Sequence, residues 1–101
     1  MRIRADGWLE PSVATGLYSA RVGKHYQLMK NGQPLTRGEI DCLEPSLSRD
    51  SCLAYNRGGR IRLEILHRYW DLGPGYNPCL SADGKWLAFA RGGQIVWRKA
   101  R

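Results

Sequence analysis

The chain has 101 residues, 43% hydrophobic and 25% charged, a composition that excludes a disordered chain and fits one folded domain. Its formal net charge of +7 favours anionic partners, but no run of Lys and Arg marks a nucleic-acid-binding tail. Twelve Gly and five Pro favour a turn-rich β protein over a helical bundle.

The beginning of the chain and its cysteines predict the compartment. Residues 1–6 lack the apolar core of a signal peptide, and no stretch approaches the ~20 apolar residues of a membrane span. Cys42, Cys52 and Cys79 are odd in number and form no C-x-x-C pair, which favours reduced, partly buried thiols. We therefore predict a cytoplasmic protein that has no membrane segment.

Residues 1–39 predict one opening strand and then a four-stranded unit. The alternating residues 1–6 are long enough for a strand of their own. The first unit, at about 8–39, has predicted strands at 9–12, 17–21, 25–30 and 33–37. Asn31-Gly32 is a strong hairpin signal between the last two of these strands.

The second unit, at about 40–75, has predicted strands at 43–48, 52–55, 60–65 and around 67–71. Residues 61–70 also fit an amphipathic helix, because Ile61, Ile65 and Tyr69 are four apart. The alternation of Ile61, Leu63 and Ile65 fits a strand equally well. The match of this stretch to residues 94–97 favours the strand.

The third unit, at about 76–101, has predicted strands at 78–81, 85–90 and 94–98, separated by Asp83-Gly84 and Gly92-Gly93. Pro11, Pro45 and Pro78 recur at a spacing of about 34 residues, the size of a unit that stacks in repeat proteins. The sequence therefore predicts a single all-β domain made of three repeats.

The third unit carries the pattern Pro-x-x-Ser-x-Asp-Gly-Lys-x-Leu-Ala-Phe, which resembles the TolB-like (WD-type) β-propeller repeat. The residues that carry it are Pro78, Ser81, Asp83, Gly84, Lys85, Leu87, Ala88 and Phe89, with a degraded copy at Pro45, Ser48, Asp50, Leu53, Ala54 and Tyr55. The resemblance implies four-stranded antiparallel blades around a channel, with the first strand of each blade innermost. It implies no catalytic residues, because the motif is structural.

Three blades do not close a ring, since propellers typically have about four to eight blades. We therefore expect a half-propeller that closes as a six-bladed ring in a homodimer, with residues 1–6 completing a last blade by strand exchange. Ile3, Trp8 and Trp97 are assigned to this dimer closure. Trp86 and Trp97 align with blade strands and are expected to pack between blades.

The resemblance also implies that the turns between second and third strands share one face with the connections between blades. The residues on this face are Arg21, Lys24, His25, Arg37, Arg57, Arg60, Tyr76 and Arg91. Arginine favours bidentate contacts to carboxylate or phosphate, while Tyr76 and His25 would add stacking. The alternative is that hairpin turns simply carry solvated cations.

These observations predict a non-enzymatic module that engages an acidic protein partner through its loop face, as an inhibitor or adaptor. The alternative is binding of nucleic acid or an anionic small ligand at the basic face or the channel mouth. We predict no catalytic residue, metal or cofactor. The Gly-Gly pairs lack the strand–helix context of a phosphate loop, and neither His25 nor His67 lies at metal-ligand spacing.

Overall fold

The computed structural model describes residues 16–50 and 52–100, and every regular element within them is a β-strand. The strands are β1 (Leu17–Val22), β2 (His25–Lys30), β3 (Gln33–Pro34), β4 (Cys42–Leu47), β5 (Leu53–Arg57), β6 (Arg60–Ile65), β7 (Arg68–Pro74), β8 (Tyr76–Leu80), β9 (Trp86–Arg91) and β10 (Gln94–Lys99). They form three antiparallel sheets in chain order, β1-β2-β3, β4-β5-β6-β7 and β8-β9-β10. The predicted all-β class is confirmed. The strands predicted at 1–6 and 9–12 lie outside the described residues.

Residues 61–70 form a hairpin and not the alternative helix. β6 and β7 pair antiparallel, and Leu66 and His67 form the turn between them with φ of 52° and 68°. Ile61 and Leu63 are buried, as alternation along a half-buried strand requires. His67 was expected within a strand, but it is exposed in this turn.

The largest differences from the predicted strand bounds are at the ends of two strands. The strand expected over 33–37 stops at Pro34, which has no N–H to give to a ladder. Beyond Pro34 the Leu35 amide donates to the Leu28 carbonyl at 2.8 Å. The Leu28 amide donates to the Thr36 hydroxyl at 2.9 Å, where a regular ladder would offer a backbone carbonyl. The strand expected around 67–71 is longer, because β7 continues to Pro74 and only Gly75 separates it from β8.

The sheets stack face to face and enclose two apolar cores. The core between the second and third sheets contains Cys52, Ala54, Ile61, Leu63, Leu80, Leu87, Phe89 and Ala100. The core between the first and second sheets contains Leu28, Cys42 and Tyr55, with Leu53 packed against it. Alternation along β5 sends Ala54 to one core and Tyr55 to the other. The middle sheet is therefore buried on both faces.

The same pair of side chains closes equivalent turns in the second and third sheets. The Ser81 hydroxyl donates to Asp83 at 2.7 Å and accepts from the Trp86 amide at 3.1 Å. The Ser48 hydroxyl likewise donates to Asp50, and it accepts from the Cys52 amide at 3.0 Å. The Ser-x-Asp spacing in the two units therefore corresponds to one repeated turn.

Polar contacts join these two turns and the first strands of their sheets. The Leu80 amide donates to the buried Ser46 hydroxyl at 2.9 Å, and the Arg49 amide donates to the Ala82 carbonyl at 3.0 Å. Gly84 lies against the Asp50 carboxylate with φ of +74°, and a Cβ at this position would collide with that carboxylate. Glycine is thus required here for both backbone conformation and space.

We expect Gly84→Ala to lower the free energy of unfolding by about 2–3 kcal/mol, from the positive φ and the collision with Asp50 together. Gly92→Ala is the matched control, since Gly92 has φ of +58° with no atom within 4 Å of its Cβ position. It should lose only about 1 kcal/mol, the backbone part alone. Urea unfolding measures both, and equal losses would show that the contact with Asp50 contributes nothing.

Candidate functional site

The three glycine turns meet two inter-sheet connections at one end of the stacked sheets. Each turn joins the second and third strands of its repeat, at 23–24, 58–59 and 92–93. The Gly58 amide donates to the Asp41 carbonyl at 2.9 Å, and the Gly75 amide donates to the Gly59 carbonyl at 3.1 Å. We call this end, comprising residues 21–25, 37–41, 57–60, 72–76 and 91–94, the loop end.

Asp41 ties the first turn to the connection that leads into the second sheet. Its Oδ1 lies 3.1 Å from Nδ1 of His25 and accepts the Tyr26 amide at 3.0 Å. The Tyr26 amide, and then His25 and Arg21, hold the pKa of Asp41 below its usual value. His25 is therefore engaged with Asp41, an interaction that competes with the stacking role expected from the sequence.

Asn56 performs the same task between the second and third sheets, and it is a residue that sequence reasoning missed. Its buried side chain donates to the Gly75 carbonyl at 2.8 Å and accepts the Gly59 amide at 2.8 Å. Gly75 leaves no room for a side chain, because its Cβ position lies 2.8 Å from Phe89 and 2.9 Å from Ile61. A polar residue directly before Arg-Gly-Gly, where the third unit has Ala90, was the available signal.

Arg91 holds the connection between the second and third sheets. Its Nε donates to the Pro74 carbonyl at 2.7 Å, and its Nη2 donates to the Leu72 carbonyl at 2.6 Å. The guanidinium carbon also lies 4.9 Å from the centre of the Phe89 ring. The donors that sequence analysis assigned to a partner are thus directed at the chain's own carbonyl groups.

Arg60 forms an ion pair across the outer part of the second sheet. Its Nε lies 3.1 and 3.0 Å from the two carboxylate oxygens of Asp71, which also accepts the Gly73 amide at 2.9 Å. The hydrogen bond from Arg60 is the main cause that lowers the pKa of Asp71. Both side chains are about half exposed, so the pair contributes little stability but offsets the charge of Arg60.

The other predicted cations present their charge to solvent at the same end. Arg21, Lys24 and Arg37 are exposed, Arg57 is half-buried, and within the described ranges none of the four forms an ion pair. Tyr76 is exposed beside the Gly58-Gly59 turn. The acidic residues of the loop end are Glu39 and Asp41, with Asp71 directly beside it, against six Arg and Lys. The loop end therefore has an excess of positive charge.

Of the residues assigned to dimer closure, only Trp97 is among the described residues, and it does not lie at the loop end. Ile3 and Trp8 are outside the described residues. Trp97 is 57% exposed on the outer face of the third sheet, beside Trp86 at 44%. The opposite face of the third sheet packs on the second sheet, so packing of Trp86 and Trp97 between blades is not seen between the described sheets and stays a prediction for the assembly.

Comparisons with protein-family models, with curated proteins and with solved structures found no match. Across residues 16–50 and 52–100, no cluster of His, Cys, Asp and Glu could hold a metal ion. The same residues contain no helix that is long and apolar enough to cross a membrane.

We expect Arg91→Lys to lower the free energy of unfolding by about 1 kcal/mol, because a Lys ammonium keeps the charge but cannot reproduce the two-carbonyl fork. Hydrogen exchange of the Gly75 amide, measured by NMR, should become faster. Arg37→Lys, at an exposed position, is the matched control. An Arg91→Lys variant with unchanged exchange at Gly75 would show that Arg91 does not hold this connection.

We expect stability to fall at acidic pH through Asp41 and Asp71. Their pKa values are lowered in the fold from 3.8, so their contribution is present above about pH 4 and is lost as the pH falls through the folded-state values. Unfolding by urea at a series of pH values measures this. Asp41→Asn and Asp71→Asn should each reduce the loss of unfolding free energy at acidic pH. If the variants lose as much stability as wild type, Asp41 and Asp71 are not the source of this loss.

Proposed function

We propose that the protein is a small non-enzymatic binding module that engages an acidic protein surface through its loop end, as an inhibitor or adaptor. The observation that carries this proposal is the gathering of three turns and two connections, with their excess of cations, at one end of the stacked sheets. Exposed guanidinium groups bind carboxylates in a bidentate manner. Arg21, Lys24, Arg37 and Arg57 are the residues that would make these contacts.

The cations at the loop end divide into two groups with different roles. Arg91 contacts the connection between the second and third sheets directly, and Arg60 does so through its ion pair with Asp71. The exposed group extends from strand ends and turns that hydrogen bonds already hold. A binding surface that is ordered before its partner arrives loses less conformational entropy on association. This division supports recognition of a partner by a rigid face.

Nucleic acid or an anionic small ligand is the alternative partner. The exposed Tyr76 beside the Gly58-Gly59 turn favours this alternative, because an aromatic side chain among cations suits base stacking. Binding to a phosphate backbone weakens steeply as salt rises. Salt dependence therefore separates the two candidates.

For the architecture we propose that the three sheets are blades of a half-propeller. Their stacking in chain order and the repeated Ser-x-Asp turn support this resemblance. Within residues 16–50 and 52–100 the third sheet has three strands where the second has four. A second copy would complete six blades, with residues 1–6 as the added strand. The buried Cys42 and Cys52 thiols fit a reducing compartment such as the cytoplasm.

The experiment compares two double charge reversals by fluorescence anisotropy with a labelled polyglutamate peptide. Lys24→Glu with Arg57→Glu alters the loop end, whereas Lys85→Glu with Arg68→Glu alters exposed cations near turns at the opposite ends of their strands. Both variants change the net charge equally. We expect the loop-end variant to bind polyglutamate about tenfold more weakly and the control to stay close to wild type.

Equal losses in the two variants would show that overall charge, and not the loop end, attracts polyanions. A short DNA duplex is the second probe, titrated at increasing salt. Tighter binding to DNA than to polyglutamate, with a steep decrease as salt rises, would favour the nucleic-acid alternative over an acidic protein.

A further inference from the structure

The glycine turns allow the three sheets to be aligned residue by residue. Each turn has two residues, at 23–24, 58–59 and 92–93, and the flanking strands pair in the same register. Counting from the turns, Trp97 occupies the position of Leu63 in the second sheet and of Leu28 in the first. Ile95 occupies the position of Ile61.

The Trp97 position is a sheet-to-sheet contact position in the first two sheets, and the Ile95 position is one in the second sheet, while its equivalent in the first sheet, Tyr26, is 40% exposed. Leu28 is 0% exposed in the core between the first and second sheets, while Ile61 and Leu63 are 0% and 2% exposed in the core between the second and third. In the third sheet the equivalent Ile95 and Trp97 are 63% and 57% exposed. We call this outer surface, Trp86, Ala88, Ile95 and Trp97, the Trp face. It has the pattern of a contact face, but the described residues form no further sheet against it.

The outer face of the first sheet is the complementary contact face, and it is only partly covered. Tyr18 and Val22 on it are exposed, whereas Gln27, which pairs with Ala20, is buried and bonded to Gly38 and Thr36. Leu53 and Tyr55 in β5 face the first sheet, and the equivalent Leu87 and Phe89 in β9 face the second. The residues at these positions in β1 are Tyr18 and Ala20, of which Tyr18 is 40% exposed. We call this outer surface, Tyr18, Ala20, Val22 and Met29, the Tyr face. Each end of the stack thus presents one half of a sheet-to-sheet joint.

The sizes of the side chains on the two open faces compensate for each other. In both internal joints an aromatic ring, Tyr55 or Phe89, comes from the later sheet, and the earlier sheet contributes Leu28 or Leu63. On the open faces this pattern is reversed. Ala20 stands where the aromatic ring would be, and the large Trp97 stands where the leucine would be. The volume lost on the Tyr face is gained on the Trp face, as a packed joint requires.

We infer that the Trp face packs on the Tyr face of a second copy of this chain, with Trp97 filling the space that Ala20 leaves. This inference rests on the six-bladed assembly proposed above and assigns its joint to named residues. A second copy is the favoured occupant because one chain carries both halves of the joint. Twofold closure then covers both faces in both chains, and buried tryptophan is typical of strong interface contacts.

Two complementary variants test the joint by light scattering at low micromolar concentration. Ala20→Glu places a charge on the Tyr face, and Trp97→Lys places one on the Trp face. Wild type should have twice the 11.5 kDa chain mass, and each variant alone should be monomeric. Mixing the two variants should restore a dimer, because the mixed pair keeps one unaltered joint and sets Glu opposite Lys in the other.

Trp70→Lys is the matched control, since Trp70 is as exposed as Trp86 but lies on β7 of the middle sheet. It should remain dimeric. Circular dichroism and urea unfolding establish that each variant folds. If Trp97→Lys does not fold, Ile95→Lys takes its place. A monomeric wild type, a dimer that neither substitution affects, a mixture that stays monomeric, or open chains of increasing mass would each overturn the inference.

Polyglutamate binding by the folded monomeric variants separates this inference from the proposed function. Their loop ends are unaltered, so they should still bind the peptide. If the masses contradict the predicted dimer but polyglutamate binding still depends on the loop end, only the inferred sheet-to-sheet joint is overturned. If mixing the two variants restores the dimer but polyglutamate binding does not depend on Lys24 and Arg57, only the proposed function is overturned.

Discussion

Burial of the middle sheet on both faces is the constraint on which the rest of the structure depends. A strand sends alternate side chains to opposite faces, so β5 places Ala54 in one core and Tyr55 in the other. A register slip of one residue would exchange these two sets and disrupt both cores. The glycine turn after β5 and the Ser48–Asp50 turn before it define where the strand begins and ends.

The same stacking creates the loop end. Because all three sheets follow one strand order, the turns between second and third strands come to one end, where the inter-sheet connections must also pass. The connections carry backbone groups that β-ladders do not satisfy, and Asn56, Arg91 and Asp71 supply their hydrogen bonds. The cations that remain directed outward at this end are consequently presented by a rigid frame.

Stacking also accounts for the two open faces. A repeat that buries both faces of its central unit leaves one uncovered face on each terminal unit, and natural repeat arrays cap such faces or close them. Here the terminal faces carry exposed aromatic side chains, Trp97 at one end and Tyr18 at the other, which is unusual for surfaces left in water. Charge at the loop end and apolar surface at the ends of the stack thus suit different kinds of contact.

The sequence by itself determined the all-β class, most strand positions and the turns, because alternation and Gly dipeptides are local signals that each strand and turn carries in its own residues. It also determined which cations occupy the turns. Only the tertiary structure decided their roles, since the acceptors for Arg91 are 17 and 19 residues away in sequence. It likewise decided that Trp86 and Trp97 face outward, because a repeat pattern shows that a face is apolar but not whether a neighbouring sheet covers it.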